Sequence, residues 1–282
     1  MIKNTNIPVK SSIHNKPIVT DVFYKQTNSK KPVVIFCHGY KGYKDWGAWN
    51  LMANSFAEND MFFVKLNFSH NGGTLENPID FPDLEAFGEN NFILELDDLE
   101  DVINWIIRNK NFKDEIDITD ITLIGHSRGG GIVSIKASEN KNISKVITLN
   151  GVSDYGSRFP KGDGLIKWKD EGVMYVTNGR TKQEMPHYYQ FYKNFLEHEE
   201  RLTLKKAIEK LREPMLIISG GEDVVVSPKE GELMHSWNPN SEVFFVDKMN
   251  HTLGGKHPWE EEKLPKHLDA VVKKCIAFIK KK

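Results

Sequence analysis

The chain predicts an α/β protein: a mostly parallel sheet covered by helices on both faces, with one insert near its middle. Three observations carry that expectation. Short apolar runs recur at Val33–Cys37, Met61–Leu66, Ile121–Ile124, Lys145–Leu149, Met215–Ser219 and Val243–Val246. Each is bounded by Gly, Asn, Pro or charged residues, as buried parallel strands are. Between them lie stretches with helical spacing, and strand-helix alternation of this kind builds a doubly covered sheet. The alternation then lapses between Val152 and Pro214, a gap too long for a connecting loop in a compact domain unless it has a role of its own.

The elements follow in chain order. Before Val33, Ile7–Ser12 and Pro17–Tyr24 are expected to pair as a hairpin across His14-Asn15-Lys16. Phe92, Leu96, Leu99, Val102, Ile103 and Ile106 mark one apolar stripe of a helix. The run at Ile121 leads straight into Gly125-His126-Ser127-Arg128-Gly129, with Gly130 and Gly131 opening the next helix. In the insert, Gly156 to Gly164 is rich in glycine and aspartate. Val173–Thr177 reads as a strand, and Asn178-Gly179 as a two-residue hairpin turn. Pro186 is expected to start a helix carrying Tyr188, Phe191, Tyr192 and Phe195. A second short helix presents Leu204, Ile208 and Leu211. The expected division is residues 1–151 and 214–282 as one catalytic domain, with 152–213 as a cap inserted after the sixth strand.

Composition narrows the function classes. With 39% hydrophobic and 27% charged residues, a net charge of −1 and 282 residues, the chain suits a soluble globular domain with a full core. Nothing in that balance favours nucleic acid or an anionic membrane. No apolar run approaches the ~20 residues of a membrane span, and Met1-Ile2-Lys3-Asn4 lacks the layout of a signal peptide. A cytoplasmic monomer or homodimer acting on a small molecule is the default. Lys273, Lys274, Lys280, Lys281 and Lys282 read as a solvated helix face. Cys37, inside an apolar run, reads as a buried thiol. The ten histidines are scattered without metal-ligand spacing, and the triple glycine lacks nucleotide-loop spacing, so neither a metal nor a cofactor is expected.

A Gly-x-Ser-x-Gly at the tip of a strand describes a sharp turn that lifts a serine hydroxyl out of the fold. A serine near its free pKa needs a base, and the base an orienting acid. Asp223 follows Met215–Ser219, and His251 follows Val243–Val246, both just past the carboxyl ends of strands, where α/β folds place their sites. Asp223 is weighed against Glu222, Asp247 and Asp154, and His251 against His257. His126 and His38 read as packing residues, His38 bracing its loop; His70 either lines the site or caps a turn. After Val33–Cys37 comes His38-Gly39-Tyr40-Lys41-Gly42, whose Tyr40 main-chain N–H can join that of Arg128 in an oxyanion hole. The aromatics Tyr188, Tyr189, Phe191, Tyr192 and Phe195 are expected to pack more than to touch substrate.

The order Ser127, Asp223, His251, together with His38-Gly39-Tyr40 and Gly125–Gly129, resembles the α/β-hydrolase superfamily. The match runs from about Pro32 to Ile279. Asn67-Phe68-Ser69-His70-Asn71-Gly72 resembles that family's loop after its fourth strand. Feruloyl/cinnamoyl-type serine esterases, dienelactone-hydrolase-like proteins and prolyl-oligopeptidase-like peptidases are the most similar branches, although dienelactone hydrolases proper carry cysteine where Ser127 stands. The resemblance implies an α/β-hydrolase fold and a cofactor-free carboxylesterase acting on a small ester. A peptidase reading would need an anion for the substrate amine, which Asp170, Glu171 or Glu184 can supply. An acyl-CoA thioesterase would be marked by a basic pocket under the cap.

Overall fold

The computed structural model describes residues 1–281. Its ten strands are β1 Ile2–Val9, β2 Ile18–Tyr24, β3 Lys31–Cys37, β4 Phe62–Asn67, β5 Ile116–His126, β6 Ile143–Leu149, β7 Val173–Thr177, β8 Glu184–Tyr188, β9 Met215–Gly220 and β10 Glu242–Val246. The helices are α1 Trp49–Glu58, α2 Leu84–Glu89, α3 Phe92–Arg108, α4 Arg128–Glu139, α5 Asp163–Glu171, α6 Gln190–Glu197, α7 Glu199–Leu202, α8 Leu204–Lys210, α9 Pro228–Trp237 and α10 Lys266–Ile279. Eight strands form one sheet in the order β1-β2-β4-β3-β5-β6-β9-β10. From β4 to β10 every pairing is parallel, while β1 and β2 join antiparallel.

Side chains that alternate along the strands explain why both faces are covered. Val33, Ile35, Leu123 and Val146 enter one apolar cluster with Leu96, Leu99 and Ile103 of α3, Ile132 of α4 and Met234 of α9. Their neighbours Val34, Phe36, Ile124 and Ile147 enter a second cluster with Phe56 of α1 and Val271, Cys275 and Phe278 of α10. A strand buried on both faces reads as a continuous apolar run rather than an alternating one, which is why the runs of β3, β4 and β9 are visible in the sequence; β10, at the sheet edge, keeps an apolar run although Val243 and Phe245 are exposed. The whole predicted stripe of α3 is buried. Cys37 and Cys275 are both free and buried.

At the antiparallel end, β2 is wholly buried although it contains Asp21. Its carboxylate takes hydrogen bonds from Lys44 Nζ (2.9 Å) and Lys65 Nζ (2.5 Å), and both ammonium groups also meet Asp45. Two cations and two anions thus compensate one another in a place where a single buried charge would be costly. On α10, Lys273 pairs with Asp269 and Lys274 with Glu242, which Lys281, just past the helix, also meets, a solvated face as expected; Lys282 lies outside the described residues.

Between β6 and β9 the chain departs from the sequence expectation in two places. Asn178-Gly179 does not make a two-residue turn. Six residues separate β7 from β8, because the Asn178 carboxamide accepts from Arg180 N and Thr181 N and closes a wider loop on itself. Pro186 does not start a helix either. It lies inside β8 opposite Tyr175, in a two-stranded sheet where the missing N–H can face away from the partner strand. The helix starts later, at Gln190, and Tyr188 stays on the strand opposite Val173. The short helix with Leu204 and Ile208 forms as expected, with Leu211 just past its end. Among the described residues, no helix is long and apolar enough to cross a membrane.

Candidate active site

The turn between β5 and α4 is built by close backbone approach. A Cβ on Gly125 would stand 2.1 Å from the Gly129 carbonyl oxygen, and one on Gly129 would stand 2.5 Å from that of His38. Only glycine lets β5, the start of α4 and the end of β3 come this near. Ser127, between them, is held at φ 55° and ψ −120°, a strained conformation costing about 1–3 kcal/mol for a non-glycine residue. Its N–H donates to Leu149 O (2.9 Å), and its carbonyl accepts from Gly130 N and Val152 N. The hydroxyl does not cap α4, so its lone pairs and proton are available.

His251 follows β10 and Asp223 follows β9, and the structure brings the two together: His251 Nδ1 lies 2.8 Å from Asp223 Oδ2. The other carboxylate oxygen accepts from Val225 N and Val226 N, each at 2.8 Å. Burial alone would raise the Asp223 pKa; the His251 and main-chain hydrogen bonds outweigh it and hold the carboxyl below its usual range. Ser127 and His251 line the same cavity of about 320 Å³. Among the described residues no hydrogen bond joins them, a looseness common before substrate binds.

The competing residues have other partners. Asp154 accepts from Gly156 N and Ser157 N and shapes a turn. His257 Nδ1 accepts from Gly47 N (2.9 Å), and the ring forms a wall of the cavity beside Trp46 and Tyr43. Neither Glu222 nor Asp247 makes a hydrogen bond to His251 among the described residues.

Tyr40 N and Arg128 N have no hydrogen-bond partner among the described residues, and both residues flank Ser127 at a second cavity of about 300 Å³. His38 holds that loop: Phe68 N donates to its Nε2 (3.4 Å), so Nδ1 carries the proton and donates to Gly39 O (2.9 Å). The side chains of Tyr40 and Arg128 are engaged too. Tyr40 Oη donates to His187 Nε2 of β8 (2.8 Å). The Arg128 guanidinium meets Glu95, with Nη2 2.9 Å from Oε1, and stacks on Phe92 and Phe191.

Two residues hold the His251 loop and were not singled out for that in the sequence. His126 is not a purely packing residue: it is half-buried, lines the first cavity beside Ser127 and His251, and its Nε2 donates to the carbonyl of His251 (2.8 Å). Asn150, at the end of β6 with φ 47°, donates to Asn250 O and His251 O (3.1 Å each) and accepts from Gly220 N. It thereby ties the loops that carry Asp223 and His251 to one point. Its only sequence signal is an asparagine at a strand end, a residue tolerant of positive φ. His70 faces away from these cavities, into a buried knot in which Ser69 Oγ donates to Asp98 and meets His70 Nδ1 and His14 Nε2. Of the aromatics from the insert, Phe191 lines the second cavity, while Phe195 and Tyr192 pack on Phe159.

The buried histidines make stability pH-dependent. Burial pulls the pKa of His38 down to about 4, that of His126 to about 3 and that of His187 to about 4. On unfolding all three return toward 6.5, so below that pH the unfolded chain binds protons that the folded chain refuses. Their contribution is complete above about pH 6.5 and is lost as pH falls, at up to about 1.4 kcal/mol per pH unit for each histidine. Melting temperature should drop steeply between about pH 6 and about pH 4; a flat profile in a thermal denaturation series contradicts the assignment of these imidazoles as neutral. Among the described residues, no three His, Cys, Asp or Glu side chains converge as a metal site would require.

A sequence model of the alpha/beta hydrolase fold matches residues 32–183. The chain belongs to the α/β-hydrolase family. That match includes Ser127 and the Tyr40 loop but ends before Asp223 and His251, so it is silent on those two residues. Solved structures similar to this α/β hydrolase include Est1E from Butyrivibrio proteoclasticus with ferulic acid bound, at 16% identity and TM-score 0.70 over 97% of each chain. A putative dienelactone hydrolase from Klebsiella pneumoniae aligns over 100% of this chain and 99% of its own, at 14% identity and TM-score 0.62. An acylaminoacyl peptidase from Pyrococcus horikoshii aligns over 100% of this chain and 42% of its own, at 16% identity and TM-score 0.66. At such identities the likeness concerns the fold. No curated protein sequence matches the chain.

Proposed function

We propose that this α/β hydrolase is a serine hydrolase that cleaves carboxylic esters through an acyl-enzyme. The observation that carries the reading is what surrounds Ser127, a strained residue with a free hydroxyl: a carboxylate-bound histidine in the first cavity and, at the second, the main-chain N–H groups of Tyr40 and Arg128, unpartnered among the described residues. Ser127 Oγ attacks the ester carbonyl carbon while His251 Nε2 takes its proton, and Asp223 holds the imidazole and stabilises its cation. The carbonyl oxygen, now an anion, accepts from Tyr40 N and Arg128 N, each donor being worth ~3 kcal/mol in the transition state. Collapse breaks the C–O bond, and His251 delivers its proton to the departing alcohol. Water, deprotonated by His251, then attacks the acyl carbon and releases Ser127 and the acid. No step needs a cofactor. Residues 152–213 act as a cap, since Met174, Val176, His187 and Phe191 wall the second cavity.

A peptidase would hold the substrate amine on an anion. Asp170, Glu171 and Glu184 are all exposed, and neither cavity has a carboxylate among its lining residues. Esters are therefore favoured over peptides. With matched acyl groups, p-nitrophenyl esters should turn over while aminoacyl anilides remain intact; anilide turnover equal to that of the esters would overturn the choice. Thioester hydrolysis uses the same machinery, and the cations Lys41 and Arg180 beside the first cavity keep it as the second reading.

A further inference from the structure

Ser127 and Tyr40 border both cavities, but His251 borders only the first. In ester cleavage the histidine must reach the departing oxygen to protonate it, so the leaving group lies on the His251 side, in the first cavity. The acyl group then occupies the second, among Phe92, Phe159, Met174, Val176 and Phe191.

The two cavities differ in how their cations are compensated. In the acyl cavity, Arg128 is paired with Glu95 and Arg158 with Glu230. In the leaving-group cavity, Arg180 is paired with Asp80 and also meets the Tyr43 hydroxyl. Lys41 alone among these four has neither an ion pair nor a hydrogen bond among the described residues. Its ammonium stands 5.1 Å from the centroid of the Tyr40 ring, and Tyr40 is the wall that the two cavities share. Burial lowers the Lys41 pKa, and no carboxylate contributes to offset it. The same cavity is also lined by the aromatic side chains of Tyr43, Trp46, Trp49 and Phe81. A half-buried cation without an anion, in a cavity without carboxylates, is a site whose counter-charge comes with the ligand.

We propose that Lys41 is a specificity-determining residue that binds an anionic group on the leaving alcohol or thiol of the substrate. The substrate class is then an ester or thioester joining an apolar acyl group to a ring-bearing leaving group that carries a carboxylate or a phosphate. This inference rests on the serine-hydrolase reading and adds the charge of the leaving group to it.

The test compares three esters of one acid, 3-phenylpropanoate, with 4-hydroxybenzoate, 4-hydroxyphenyl phosphate and 4-hydroxybenzamide as leaving groups. For the wild-type protein, kcat/KM should favour an anionic ester over the neutral amide by ~10-fold or more, as a charge-assisted contact allows. In Lys41→Met that ratio, taken against each variant's own neutral ester, should fall to about one; in Lys41→Arg it should persist. Preference for the carboxylate ester alone identifies a carboxylic alcohol. Preference for the phosphate ester alone points to a phosphorylated alcohol or thiol, and either result supports the proposal. Equal rates on all three esters, or a preference that survives in Lys41→Met, overturns it while leaving the hydrolase reading intact. Hydrolysis of none of them by the wild-type protein removes both.

Discussion

Ser127→Ala should lower kcat on any ester substrate by about a million-fold, the scale on which a serine hydrolase depends on its nucleophile. The loss falls on kcat because the alanine removes the atom that forms the acyl bond and leaves both cavities intact. Stability should hardly change: the Ser127 hydroxyl caps no helix, and the strained backbone is imposed by the close approach of Gly125 to the start of α4 and of Gly129 to the end of β3. Near-normal melting with activity lost is the expected pair of results. Activity retained within tenfold would assign the chemistry to another group.

Asp223→Asn should cost about 10⁴-fold in kcat with the fold unchanged. The reason lies in the second carboxylate oxygen. Oδ1 accepts from Val225 N and Val226 N, so an asparagine would keep its carbonyl there and turn its NH₂ toward His251. Nδ1 would then have to accept instead of donate, moving the ring proton to Nε2, where it blocks transfer from Ser127. The substitution that looks mildest therefore inverts the tautomer. An Asp223→Asn variant within a few-fold of wild type in steady-state kinetics would mean that this carboxylate does not orient the base.

Much of this arrangement was legible in the sequence, for physical reasons. Strands buried on both faces must be apolar throughout, so Val33–Cys37 and Met215–Ser219 were readable as sheet. Ser127, Asp223 and His251 were readable because each follows an apolar run that forms a parallel strand, and parallel strands present their carboxyl ends on one edge. The insert was less so. Asn178-Gly179 has the local chemistry of a hairpin turn, but the Asn178 side chain closes a longer loop, and Pro186 sits in a two-stranded sheet that tolerates it. The supporting contacts were invisible for a different reason. Asn150 and His126 act through hydrogen bonds to residues about a hundred positions away, and no local pattern records a pairing of that range. The uncompensated charge of Lys41 is likewise a property of three dimensions, since only there do Arg128, Arg158 and Arg180 prove to have partners.

The central claim, that Ser127 becomes acylated while His251 and Asp223 serve it, is tested most directly by stoichiometric labelling with an organophosphonate ester. Such a reagent phosphonylates only a serine activated by its base. Intact mass should show one adduct per chain, peptide mapping should place it on Ser127, and labelling should disappear in Ser127→Ala and slow sharply in His251→Ala. No adduct on the wild-type protein, or one on another residue with Ser127 unmodified, would contradict the account.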